Sequence, residues 1–94
     1  PPDAVVSSAG FAEFEAGGFE NPHSHDIPET AHVLDGTGQA RLGDRRVDVA
    51  AGDTVFVPAG VVHGWTAADT RLRVLYTFPA DRFDEVAYHF EGDG

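Results

Sequence analysis

Glycine and proline interrupt this chain at intervals of about ten residues, and the stretches between them are too short for helices of ordinary length. Several alternate apolar and polar residues with period two. In residues 72–78, Leu72, Val74, Tyr76 and Phe78 share one face and Arg73, Leu75 and Thr77 the other. In residues 29–34, Glu29, Ala31 and Val33 face one way and Thr30, His32 and Leu34 the opposite way. Gly43-Asp44 separates two runs whose Ala40, Leu42, Val47 and Val49 form one apolar face, a two-residue hairpin signal. Further strands are expected over residues 11–15, through Phe19, Asn21 and His23 on one face, over 54–57, and over 61–66, where His63 and Trp65 share a face. Seven or more short strands of this kind predict an all-β sandwich or barrel. Only after Pro79 does the period change: Phe83, Val86, Ala87 and Phe90 fall at i, i+3, i+4 and i+7, which predicts a short C-terminal helix.

Chemistry concentrates in residues 17–29. On an extended strand His23 and His25 leave the same face about 7 Å apart at Cα, a chelating pair. Pro28 redirects the chain so that Glu29 can return a carboxylate to the same cluster. A third imidazole, His63, stands beside the turn at Pro58-Ala59-Gly60. The chain has no Cys, so any metal ligands are nitrogen and oxygen and no disulfide supports the fold. Among the alternatives, His23-Ser24-His25-Asp26 is a solvated polar loop, or His63 or His25 is a metal-free acid or base.

These two stretches resemble the signature motifs of the cupin superfamily. Gly17, His23, His25, Glu29 and Gly36 meet the first motif in full; Gly52, Pro58, Gly60 and His63 meet the second, with Ala67 in place of its final Asn. That Asn is not a ligand in the family, so the departure bears on local polarity and not on the metal site. The resemblance implies a double-stranded β-helix, a small jelly-roll barrel spanning residues 11–78, preceded by an arm (1–10) and followed by a helix and tail (79–94). It also implies one divalent metal held by His23, His25, Glu29 and His63, with positions left open. Iron or manganese is favoured, then zinc, while nickel, cobalt and copper are compatible with the same donors.

The strand faces add Phe19, Asn21, Trp65 and Tyr76 as substrate-pocket residues, mostly apolar and aromatic. By parity none of Arg41, Arg46, Arg71 or Arg73 points inward, which counts against a sugar-phosphate substrate. Together these features predict a metal-dependent enzyme acting on a small, weakly polar organic molecule by dioxygenase-like or Lewis-acid isomerase or lyase chemistry. The alternatives are a non-catalytic metal or small-molecule sensor and a purely structural barrel.

A net charge of −10, with six Arg and no Lys, disfavours nucleic acid and anionic membranes as partners. No run of eighteen apolar residues and no basic-then-apolar leader is present, so the expectation is a cytoplasmic protein without a membrane span. Because the sequence opens Pro1-Pro2 and contains no Met, a further N-terminal piece is expected. Ninety-four residues make a thin core with open sheet edges, and with the family resemblance this predicts a homodimer through Thr30, His32 and Leu34 or the N-terminal segment.

Overall fold

A computed structural model describes residues 8–79 and 88–90. The described residues form nine strands and no helix: β1 (Ser8–Phe14), β2 (His23–His25), β3 (Glu29–Asp35), β4 (Thr37–Leu42), β5 (Arg45–Ala50), β6 (Thr54–Val57), β7 (His63–Ala67), β8 (Leu72–Phe78) and β9 (Tyr88–Phe90). They make two antiparallel sheets, β1-β8-β3-β6 and β5-β4-β7-β2-β9. From β1 to β8 the chain changes sheet at every connection except the β4–β5 hairpin, which is the winding of a jelly roll. None of the described segments is a helix long and apolar enough to cross a membrane.

The alternation read from the sequence sets the core. Ala31 and Val33 of β3, Ala40 of β4, Trp65 of β7 and Leu72 and Val74 of β8 are buried between the sheets. The hairpin pairs Ala40 with Val47 and Leu42 with Arg45 across Gly43-Asp44, as its turn chemistry demands. Ala67 belongs to this apolar core, at 2% exposure. An Asn there would bury an amide among aliphatic groups at a cost unless fully hydrogen-bonded. The fold therefore favours the apolar residue at the position where the second motif departs.

The expected C-terminal helix requires correction. Phe90, its last apolar position, lies in β9, which pairs with β2 in the register His23↔Phe90, Ser24↔His89 and His25↔Tyr88. Phe83, Val86 and Ala87 lie outside the described residues. The physical reason is an edge that needs a partner. β2 has three residues and meets β7 at only one residue pair, so without β9 its outer backbone donors and acceptors would go unpaired.

Gly36, between β3 and β4, has φ 87, and a Cβ there would collide with the backbone carbonyl of Arg71. Both the left-handed backbone and the close approach exclude a side chain. Gly36→Ala is expected to destabilise the fold by at least about 2 kcal/mol, a fall in melting temperature on the order of 10 °C for a domain of this size. Thermal unfolding checks this; an unchanged Tm would show that the crossing relaxes freely.

Candidate metal centre

Two strands bring the imidazoles together, and a third adds a carboxylate. β2 supplies His23 and His25 on one face, and β7 places His63 directly opposite His23 in the ladder. The ring centroids of His63 lie 4.5 Å from His23 and 4.7 Å from His25. All three rings are buried, and one nitrogen of each lies within 4.8 Å of the others. Glu29, the first residue of β3, reaches across from the other sheet and is 6% exposed.

The backbone fixes how each ring presents itself. His23 Nδ1 lies 3.1 Å from the Asn21 carbonyl, His25 Nδ1 2.7 Å from that of Ile27, and His63 Nδ1 3.0 Å from that of Val61. A carbonyl oxygen only accepts, so each Nδ1 carries the proton and each lone pair resides on Nε2. This outer hydrogen bonding is the arrangement that orients imidazole ligands toward a metal.

The donors fit a cation. Glu29 Oε1 lies 3.1 Å from His25 Nε2 and 3.6 Å from His63 Nε2, and His63 Nε2 is buried without a hydrogen-bond partner among the described residues. Lone pairs facing a carboxylate repel unless a proton or a metal stands between them, and a metal satisfies all of them at once. Protonation shifts report the same crowding. Burial pushes the Glu29 carboxyl up, but the adjacent His25 and His63 outweigh it and hold the group at about 2. Burial lowers His63, yet the Glu29 carboxylate and the Val61 carbonyl leave it raised. His23 is lowered, chiefly by burial.

Beside the imidazoles is a cavity of about 110 Å³, bounded by Ala12, Glu20, His23, Glu29, Trp65, Val74, Tyr76 and Phe78. No arginine is among these residues. An open groove of about 550 Å³ bounded by Thr37, Gln39, Asp48 and Thr66 is larger but contains no imidazole, so chemistry attaches to the smaller space.

Of the pocket residues expected from sequence, Trp65 and Tyr76 line this cavity; Phe19 is 67% exposed and Asn21 is also exposed, contributing its carbonyl to His23. Glu20 takes the inward place that parity assigned to its neighbours. Phe19 bridges Thr66, and His23 pairs with His63. Four residue steps on one strand thus oppose three on the other, a one-residue bulge that inverts the alternation. Gly64 of β7 leaves room for it, since a Cβ there would lie 3.1 Å from the Glu20 carbonyl. The Glu20 backbone N–H donates to the Trp65 carbonyl at 2.9 Å, which holds the bulge in place. The available sequence signal was Pro22, which cannot donate to a ladder and so warns against carrying strand parity from His23 back to Phe19.

A jelly roll with a buried cluster of three imidazoles beside a small cavity defines a barrel protein with a candidate metal site. The chain belongs to the cupin family: residues 10–78 match the cupin domain. It is 32% identical over 90 residues to the dimethylsulfoniopropionate lyase DddW of Ruegeria pomeroyi, an alignment covering 96% of this chain and 57% of that protein. The chain therefore spans little more than half the length of that relative. Among solved structures, it superposes on a cupin 2 conserved barrel domain protein from Rhodopseudomonas palustris with a TM-score of 0.77, at 28% identity, covering 87% of this chain and 57% of the other. The polyketide cyclase RemF from Streptomyces resistomycificus gives a TM-score of 0.80 at 24% identity, covering 98% and 65%, a likeness of fold.

Proposed function

We propose that this cupin is a metal-dependent enzyme that holds one divalent ion through His23, His25, Glu29 and His63 and acts on a small organic molecule in the adjoining cavity. The observation that carries this reading is the convergence of three buried, carbonyl-locked imidazoles, with the Glu29 carboxylate against two of them. Mixed imidazole and carboxylate donors suit iron and manganese, which we place first, with zinc next. The bound ion would supply Lewis acidity toward a carbonyl, enol or diol oxygen, or a redox centre for dioxygen chemistry.

The cavity is well below the ~300–1,000 Å³ of drug-sized pockets, so it selects small molecules. Trp65, Val74 and Phe78 exclude water from one side. Glu20 and Tyr76 bring oxygen groups able to hold or move a proton beside the bound molecule. Lewis-acid isomerase or lyase chemistry follows most directly from an ion with a carboxyl group nearby, and the similarity to a protein named as a lyase supports that direction.

The test is elemental analysis of protein purified without added metal, followed by turnover screening against diketones, enols and 3-substituted carboxylates with oxygen uptake recorded. About one ion per chain and turnover without oxygen uptake are expected. Oxygen consumption coupled to product would move the reading to dioxygenase chemistry, and a protein that neither retains nor binds divalent metal would overturn it.

We also propose that two copies associate through the outer face of the β1-β8-β3-β6 sheet. Phe11, Phe56 and Leu34 are 60%, 58% and 42% exposed there, beside Thr30 and His32. Light scattering at tens of micromolar should return about twice the monomer mass, and Phe56→Ser should reduce it; a monomer in the unsubstituted protein would remove the claim.

A further inference from the structure

The carboxyl group left over by the metal centre is that of Glu20, a half-buried side chain. Its Oε1 is buried with no hydrogen-bond partner among the described residues, 3.6 Å from His23 Nδ1. That nitrogen already donates to the Asn21 carbonyl, and it lies on the ring edge opposite the lone pair offered to a metal. Glu20 is therefore a wall of the cavity and not a further ligand.

Nothing in the fold requires a carboxylate at this place. The bulge that turns Glu20 inward is held by backbone groups alone, through Glu20 N–H to the Trp65 carbonyl, Ala67 N–H to the Gly18 carbonyl and Gly17 N–H to the Ala68 carbonyl. An apolar side chain would serve that geometry at lower cost, because an unsatisfied buried oxygen is destabilising. Glu20 borders the cavity, so a ligand group that reaches its carboxyl gains the hydrogen bond that Oε1 lacks. Of the other described walls outside the proposed ligand set, Ala12, Trp65, Val74 and Phe78 carry no acceptor side chain and Tyr76 carries a neutral hydroxyl, so Glu20 alone among them can carry a charge.

We infer that Glu20 is a specificity-determining residue: it accepts a hydrogen bond from a hydroxyl, ammonium or other cationic group at the end of the ligand remote from the metal. The ligand class is then a short bifunctional molecule, with an oxygen donor for the metal at one end and a hydrogen-bond donor or positive centre at the other. This deepens the proposed function and rests on it.

The test uses cobalt-loaded protein and three probes that differ only at C3: propionate, 3-hydroxypropionate and 3-aminopropionate. Metal content is measured first in each variant, and binding is followed by calorimetry and the cobalt absorption spectrum. The expected result is that 3-hydroxy- and 3-aminopropionate bind on the order of tenfold or more tighter than propionate. Glu20→Gln should abolish the preference for the ammonium while largely keeping that for the hydroxyl, and Glu20→Leu should abolish both, with metal content unchanged. Equal affinity of the three probes in the unsubstituted protein, or preferences that survive Glu20→Leu, would overturn the role of Glu20 while leaving the metal-dependent reading intact. Failure of all three probes to bind metal-loaded protein would overturn the ligand class and the role of Glu20, whereas failure of the protein to take up cobalt would overturn the metal-dependent reading.

Discussion

Replacing His63 with Ala should lower the metal content of the purified protein by more than about tenfold, at least the effect of losing an outer hydrogen bond to a ligand, while His32→Ala should leave it unchanged. The contrast follows from geometry. His63 faces both other imidazoles and Glu29, and its Nε2 has no other hydrogen-bond partner. Its removal leaves two imidazoles and a carboxylate with a gap at their centre. His32 is on β3 only three residues from Glu29, but it lies on the opposite face, with Nδ1 3.0 Å from the Thr54 hydroxyl. Elemental analysis of the two variants, each checked for folding by circular dichroism, decides the matter. Equal metal retention in both would remove His63 from the ligand set.

Chelation should cost stability, and the cost should depend on pH. A metal that binds only the folded site adds about 2.7 kcal/mol when its free concentration is a hundred times its dissociation constant, or on the order of 10–20 °C in Tm for a domain of this size. At pH 7.5 the metal-loaded protein should therefore melt well above the chelated one. On acidification protons compete for three imidazoles whose ordinary value is about 6.5, so metal and its increment are lost together, below that range by an amount set by metal affinity.

The metal-free protein has its own pH dependence. Glu29, at about 2 and so below its ordinary 4.5, contributes stability that is present above the carboxylate range and lost as pH falls toward about 2; it stays ionised throughout the window of interest. His63, raised above 6.5, contributes stability that is present below 6.5 and lost as pH rises through its folded value. His23, held below 6.5 chiefly by burial, works against it, favouring the fold above 6.5 and losing that contribution on acidification. These two imidazoles oppose one another in the chelated protein, while Glu20, which burial pushes up to about 7, adds a contribution that is lost as pH rises through that value. Loaded and chelated protein share Glu20, so convergence of the two melting curves between pH 7.5 and about 5 comes mainly from loss of the ion. Melts with and without chelator across that range test this. A gap absent at pH 7.5, in protein shown to contain metal, would mean the centre does not stabilise the fold.

How much of this was legible in the chain depended on whether local rules were allowed to act without interruption. In β3 and β8 regular alternation ran unbroken, so Glu29, Ala31 and Val33 and then Leu72, Val74 and Phe78 could be assigned inward correctly. The Gly43-Asp44 hairpin was equally readable, because a two-residue loop leaves one register. Strand periodicity put His23 and His25 on one face, and the resemblance to the cupin motifs joined Glu29 and His63 to them as expected ligands.

What the tertiary structure alone decided lies where a segment takes its geometry from a partner distant in sequence. Residues 19–23 follow β7, and the one-residue mismatch against it turned Phe19 out and Glu20 in. The C-terminal segment reads as helix by its own periodicity, but Tyr88–Phe90 forms a strand because the exposed edge of β2 offers backbone hydrogen bonds that a helix would leave unmade. The candidate centre is decided the same way: the sequence supplies the imidazoles and the carboxylate, while antiparallel pairing of β2 with β7 and the facing of the two sheets gather His23, His25 and His63 with Glu29 beside them.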